Sequence, residues 1–203
     1  MHAESWSTSD EFVLATGGAD GTLRVWDIRR THTCRSILNQ DGPAVQLQGS
    51  GNDRKRHRQE ASSGVVPQAH NGGISGLLYS PYGRYLVSSG ADGRMRLWHP
   101  QTGELQIVNY GAFPQNTQSN YKRVQMAISW NANVVYHPRG NDIIVCDLES
   151  GERMACLSAH MATVYCCVAQ VRLSRQTVCL FCPYTRSLFA QVCLRCRSLL
   201  PLH

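Results

Sequence analysis

The sequence predicts an all-β protein built from repeated antiparallel hairpins, and two observations carry this prediction. The run ATGGADGTLRVWDIRR at residues 15–30 returns, with changes, as SSGADGRMRLWHP at residues 88–100. The residues on either side of each Asp-Gly pair alternate between apolar and polar, and this period of two is that of a β-strand. A strand–turn–strand unit that recurs along a chain indicates a structural repeat.

The first repeat lies within residues 13–28. Thr16 is followed by Asp20 four residues later and by Trp26 six residues after that. Asp20-Gly21 separates two alternating runs, which is a strong local signal for a β-hairpin. In the second run Leu23, Val25 and Asp27 share one face and the residues between them share the other, as in a strand.

The second repeat has the same internal spacing. Ser88, Asp92 and Trp98 are separated by gaps of four and six residues, and Asp92-Gly93 occupies the turn. His70 stands 22 residues before Asp92, in the run AHNGG. The sequence therefore predicts two hairpins of one type.

Two further copies have diverged. NVVYHPRGNDIIVCDLESG at residues 133–151 predicts a hairpin with its turn at Asn141-Asp142, and Cys146-Asp147 replaces Trp-Asp. LSAHMATVYCCV at residues 157–168 begins a fourth copy, in which His160 corresponds to His70.

The spacing between copies favours the blades of a β-propeller. Trp26 and Trp98 are 72 residues apart, and Trp98 and Cys146 are 48 apart. A blade takes roughly 40–45 residues. The second interval fits one blade, and the first fits one blade with an insertion at about residues 46–66.

This pattern of His, Ser or Thr, Asp and Trp resembles the WD-repeat propellers. The resemblance implies a partial propeller of about three blades of a seven-bladed type, with an irregular C-terminal tail. It also implies a buried hydrogen-bond chain of structural residues, complete in one repeat and partial in another: His70, Ser88, Asp92 and Trp98, with Thr16, Asp20 and Trp26.

Within that family, residues from about 6 to 168 resemble a substrate receptor of cullin–RING ubiquitin ligases that serves transcription-coupled excision repair. The signals are AHNG, DGRMRLW, VNYG and VYCCV. Trp26, Asp27 and Arg29 match a Trp-Asp-x-Arg motif whose arginine contacts the propeller adaptor subunit. The resemblance implies a nuclear scaffold without cofactor, whose partners are the adaptor, stalled RNA polymerase II and its remodelling factor.

The tail changes in composition. Residues 1–168 are expected to form the propeller and residues 169–203 to lie outside it, because the tail has no Gly, acid or Trp. Four cysteines there leave a zinc site open as a less favoured alternative: Cys179, Cys182, Cys193 and Cys196. A zinc-binding nucleic-acid-associated protein and a nonfunctional truncated isoform therefore remain alternative interpretations.

The charge distribution and the motifs of the sequence limit which other classes of function are expected. The net charge is +6, but the first 170 residues hold 15 basic and 14 acidic residues, so direct nucleic-acid binding is not expected. No apolar run is long enough to cross a membrane. DRKRHR at residues 53–58 reads as a solvated loop or a nuclear import signal. A phosphate loop, a nucleophile elbow and a His-Glu-x-x-His motif are all absent from the sequence, which favours a protein that is not an enzyme.

Overall fold

The structure, a computed structural model, describes residues 3–30, 34–46, 66–113, 123–158, 160–172 and 175–181. In these residues the chain is all-β, apart from a short 3-10 turn at Pro81–Gly83. The strands form three antiparallel sheets of four or five strands and one two-stranded sheet. The predicted fold class, a partial propeller, is confirmed.

Each of the first three sheets is one blade, and its strands lie in chain order. Blade 1 comprises β1 (Ala3–Trp6), β2 (Val13–Gly17), β3 (Leu23–Asp27), β4 (Cys34–Leu38) and β5 (Val45–Gln46). Blade 2 comprises β6 (Ile74–Tyr79), β7 (Leu86–Gly90), β8 (Met95–Trp98) and β9 (Leu105–Gln106). Blade 3 comprises β10 (Ala127–Ile128), β11 (Val134–Arg139), β12 (Asp142–Asp147) and β13 (Arg153–Ser158).

The Asp-Gly turns close the central hairpins of blades 1 and 2. Gly21 has φ +79° and Gly93 has φ +67°, a left-handed conformation that glycine adopts without steric cost. In blade 3 the turn lies one residue earlier than the sequence indicated. Arg139 pairs with Asp142, so the loop residues are Gly140 and Asn141, with Gly140 at φ +58°.

The cores lie between successive sheets, as radial stacking of blades requires. Val25 and Leu23 of blade 1 pack with Ile74 and Leu86 of blade 2. Two further clusters join blade 2 to blade 3 and blade 3 to the next strand. Each blade is therefore held by apolar burial against its neighbours in the chain.

The last two described strands lie at the domain boundary that the sequence predicted between residues 168 and 169. β14 runs from Cys166 to Arg172 and pairs with β15 (Arg175–Phe181) in a two-stranded antiparallel sheet. The run RQTVCLF is rich in β-branched and apolar residues and lacks Gly and Pro, so it suits a strand. The expected boundary at residue 168 thus falls inside β14.

Two other expectations concern residues outside those described. The insertion expected at about 46–66 falls mostly on 47–65, and DRKRHR lies within that range.

Within the described ranges there is no helix of the length and apolar character needed to span a bilayer.

Candidate partner-binding face and its buried supports

A chain of buried polar side chains links three elements of blade 2. Trp98 on β8 donates its indole Nε1–H to Ser88 Oγ on β7 at 2.8 Å. Ser88 Oγ also lies 2.7 Å from His70 Nε2, and His70 Nδ1 lies 3.0 Å from Asp92 Oδ1. The side chains of His70, Ser88 and Trp98 are fully buried, so each polar atom depends on the next.

The bonding pattern assigns the proton positions of His70. The Asp92 carboxylate can only accept, so His70 Nδ1–H donates to it. The neutral ring then accepts at Nε2 from the hydroxyl of Ser88, whose oxygen accepts the indole N–H of Trp98. Burial lowers the pKa of His70 despite the adjacent carboxylate, which keeps the ring neutral. Arg96 Nη1 also approaches Nδ1, at 2.5 Å, but its bond to Asp92 Oδ2 at 2.7 Å is the charge-assisted one.

Asp92 is the ionised end of this chain. Burial by itself would raise its pKa, but hydrogen bonds from His70 and Arg96, with the Arg96 charge, lower the pKa well below its usual value. Its Oδ2 atom also accepts the backbone N–H of Asn71 at 3.2 Å. The carboxylate therefore ties the segment before β6 to the turn between β7 and β8.

Arg96 and Gln40 extend the chain beyond the residues that the sequence indicated. Arg96 Nη2 donates to Gln40 Oε1 at 2.8 Å, which joins blade 2 to the loop after β4 of blade 1. The Arg96 side chain is only 11% exposed. Its alternation with Met95 and Leu97 placed it on the polar face, but the pairing with Gln40 had no signal in the sequence.

The partial set in blade 1 is brought together only in part. Trp26 Nε1 donates to Thr16 Oγ1 at 2.8 Å, the counterpart of Trp98 and Ser88. Asp20 instead accepts the backbone N–H and the hydroxyl of Thr22, at 3.1 and 2.8 Å. Asp20 thus stabilises its own turn.

Blade 3 uses a different histidine. His137 on β11 lies with Nε2 2.9 Å from Ser89 Oγ of blade 2, and its ring packs against Phe113. Burial lowers the pKa of His137 to about 4. The sequence had pointed to His160 as the counterpart of His70, but its Nε2 atom is buried and has no hydrogen-bond partner among the described residues.

Arg29 lies at the rim of blade 1, where the sequence placed a partner contact. Its Nε and Nη2 atoms donate to the two oxygens of Asp27, both at 2.9 Å, and Nη2 also reaches Asp10 at 3.3 Å. The guanidinium lies 4.8 Å from the centre of the Phe12 ring. The hydrogen bond from Arg29 lowers the pKa of Asp27 to about 2.

Arg29 is therefore both oriented and accessible. Its side chain is 53% exposed, although two carboxylates and an aromatic ring hold it. Among the described residues its bonds run through Nε and Nη2, which leaves the Nη1 protons for a carbonyl or carboxylate of a partner. Trp26 does not contact Arg29 in any hydrogen bond among the described residues; its ring is half-buried and packs with Cys34 and Ile37 of β4.

The cysteine tail gives no described metal centre. Cys179 lies in β15, where the structure describes the backbone but not the side chain. The other three tail cysteines lie outside the described residues. The described part of the chain contains no cluster of three His, Cys, Asp or Glu side chains arranged to hold a metal ion. The five cysteines with described side chains are free thiols.

Two segments of the chain match the model of a repeat family. Residues 3–27 and 63–99 match the family model described as WD domain, G-beta repeat. These segments contain β1 to β3 of blade 1 and most of blade 2, and so include the buried polar chain.

Several curated proteins are similar over longer stretches. WD repeat-containing protein ATCSA-1 of Arabidopsis thaliana is 26% identical over 212 residues, covering 80% of this chain and 46% of that protein. Protein HIR1 of Candida albicans is 24% identical over 67% of this chain and 15% of its own length. Striatin-4 of Mus musculus is 24% identical over 72% of this chain and 24% of its own length. The chain spans less than half the length of each of these relatives.

Proposed function

We propose that this chain, which carries WD40 repeats, is a non-enzymatic protein-interaction scaffold that docks a partner through the rim of blade 1. WD-repeat proteins in general act as scaffolds that bind other proteins, and the similarity to several of them supports the same class here. The buried polar side chains of blade 2 are engaged with one another, so they serve the fold and leave recognition to the surface.

The finer proposal is that the scaffold is a substrate-receptor subunit of a cullin–RING ubiquitin ligase in the nucleus, acting in transcription-coupled excision repair. It rests on the resemblance of residues from about 6 to 168 to the Cockayne syndrome group A protein. Its partners would be the propeller adaptor subunit of the ligase, stalled RNA polymerase II and the associated remodelling factor.

The observation that carries the proposal is the geometry of Arg29. An exposed arginine held by two carboxylates and an aromatic ring loses little side-chain entropy when it binds. Its planar fork presents fixed donors, which suits a backbone carbonyl or a carboxylate at the edge of another propeller. Arg30 is the next residue and is also exposed, but it does not belong to the motif.

The experiment measures binding of the full chain to the purified propeller adaptor subunit. Arg29→Ala is expected to weaken binding about tenfold or more, in the range of an interface hot spot. Arg30→Ala is the matched control, because it removes the same charge one residue away, and it is expected to change affinity less than threefold. Equal losses for both variants would indicate a general charge effect and would contradict a specific role for Arg29.

A further inference from the structure

Blade 1 has two faces, and among the described residues only one of them packs against another blade. Leu23 and Val25 on β3 belong to the core shared with blade 2. Arg24 and Trp26 alternate with them along the strand, so they lie on the opposite face. We call this opposite face the Trp26 face. Its apolar cluster contains only residues of blade 1 among those described: Cys34, Ile37, Trp26 and Val45.

The Trp26 face repeats, position by position, the face of blade 2 that packs on blade 1. Strand pairing sets Leu14 opposite Trp26 and Thr16 opposite Arg24. In each blade the tryptophan indole N–H donates to the hydroxyl oxygen on the neighbouring strand. The corresponding residues of blade 2 occupy the same pairing positions: Leu86 opposite Trp98 and Ser88 opposite Arg96.

The two faces differ in their burial. Trp98 and Leu86 are fully buried in the core shared with blade 1. Trp26 and Leu14 hold the equivalent positions but are only half-buried. The Trp26 face therefore exposes apolar surface that a second sheet would bury, and such burial is the main driving force of association.

Arg24 has a polar requirement on the same face that the described residues do not meet. Its Nε atom is buried and has no hydrogen-bond partner among them. Arg96, at the corresponding position, donates to Asp92 of its own blade and to Gln40 of the adjoining blade. A buried donor without an acceptor is costly, and blade 2 shows that the adjoining sheet can supply an acceptor.

The Trp26 face also carries an exposed acceptor, Asp20. The hydrogen bonds that it accepts from Thr22 both end on Oδ1. Among the described residues no hydrogen bond joins Asp20 to Arg24, in contrast with Asp92 and Arg96 of blade 2. One face thus holds both a guanidinium whose Nε lacks an acceptor and an exposed carboxylate, which makes the face complementary in charge to a copy of itself.

We propose that the Trp26 face is the contact surface of a homodimer, in which the Trp26 face of a second copy packs against it. A two-fold contact is isologous, so Arg24 of each copy meets Asp20 of the other. Trp26 and Leu14 of both copies form the apolar centre, and the two ion pairs flank it. Sheets that pack face to face already form the cores of this chain. The proposal does not depend on the proposed function, because Arg29 lies in the turn after β3 and outside this face.

Sedimentation velocity of the full chain over a range of protein concentrations tests the dimer. The wild-type chain is expected to pass from monomer to dimer with a dissociation constant on the order of micromolar. Arg24→Asp is expected to raise this constant about a hundredfold or more, because it sets like charges opposite each other twice. Arg94→Asp is the matched control, because Arg94 is exposed in the turn between β7 and β8, where the same charge change should leave the dimer intact.

A charge exchange between copies identifies the contact. Asp20→Arg alone is expected to weaken self-association as Arg24→Asp does. A mixture of the two variants restores opposite charges at both ion pairs, so it is expected to form a heterodimer about as tightly as the wild type. The thermal midpoint of each variant, measured at low concentration against the wild-type monomer, shows whether it is folded.

The outcomes are distinct. Self-association that is lost in each single variant and restored in the mixture would support the inference. A wild-type chain that stays monomeric, or that forms larger assemblies in place of a dimer, would overturn it. A dimer that Arg24→Asp leaves as stable as Arg94→Asp does would overturn it as well, and so would a mixture of folded variants that stays monomeric. If Asp20→Arg lowers the thermal midpoint, the comparison of Arg24→Asp with Arg94→Asp decides alone.

Discussion

Removing the Ser88 hydroxyl tests the buried polar chain of blade 2 directly. In Ser88→Ala, the indole N–H of Trp98 loses its acceptor and His70 Nε2 loses its donor. Both rings are fully buried, so water cannot replace the lost partner without rearrangement. Each unsatisfied buried group costs about 1–3 kcal/mol, so we expect Ser88→Ala to lower the free energy of unfolding by about 3 kcal/mol.

Thr16→Val provides the matched comparison at the corresponding position of blade 1. It preserves the shape of the side chain and removes the acceptor of the Trp26 indole N–H, but only that single bond is lost. Trp26 is half-buried, so its N–H can turn to water. The expected loss is about 1 kcal/mol or less.

The free energies of unfolding of Ser88→Ala and Thr16→Val are compared by urea unfolding, in which the midpoint and the m-value are determined separately. A second measurement, on Trp98→Phe with and without Ser88→Ala, tests the coupling. Once the indole donor is gone, Ser88→Ala should cost less than it does alone. A Ser88→Ala variant no less stable than Thr16→Val, or additive effects with Trp98→Phe, would refute the argument that the chain acts as a unit.

Three further predictions follow from burial. His137 has a folded pKa of about 4 against an ordinary value near 6.5, so the unfolded state binds more protons between these values. Stability should therefore fall, by up to about 3 kcal/mol, as the pH drops from 6.5 towards 4, and His137→Gln should flatten this dependence in a thermal-unfolding series. A Cβ at Gly90 would collide with the ring of His70, so Gly90→Ala should cost about 2 kcal/mol in urea unfolding, and a neutral effect would contradict the packing. In maleimide labelling followed by peptide mapping, Cys156 should react first among the five cysteines with described side chains, because it is exposed and burial raises the pKa of Cys34 to about 11 and of Cys167 to about 12. Rapid labelling of Cys34 and Cys167 would count against their burial.

The local hairpins could be read from the sequence because their signals are local. An Asp-Gly pair between alternating runs specifies the turn and the two faces of the strand, and Leu23, Val25 and Asp27 lie together on its buried face. The resemblance to the WD-repeat propellers implied which side chains of blade 2 meet, and Ser88, Asp92 and Trp98 are joined through His70 as it implied. The period of the repeat then predicted that successive sheets stack.

Other features depend on partners that are distant in the chain. β1 went unrecognised because AESW buries a single residue, Ala3, and shows no apolar alternation. The bond from Arg96 to Gln40 spans 56 residues, and that from His137 to Ser89 spans 48. Such contacts join neighbouring blades, so they follow from the packing angle between sheets, which the pattern within one blade does not specify. The αL conformation of Tyr82, at φ 71° in the turn between β6 and β7, likewise contradicts local propensity.

The central claim is that the blades stack and that a buried polar chain fixes blade 2. The most direct test is hydrogen exchange at the indole N–H groups of the four tryptophans, measured on protein labelled with ¹⁵N at tryptophan. The account predicts that the Trp98 signal resists exchange with solvent longest, that Trp26 is intermediate, and that Trp6 and Trp130 exchange at once. A Trp98 indole that exchanges as fast as that of Trp6 would contradict it.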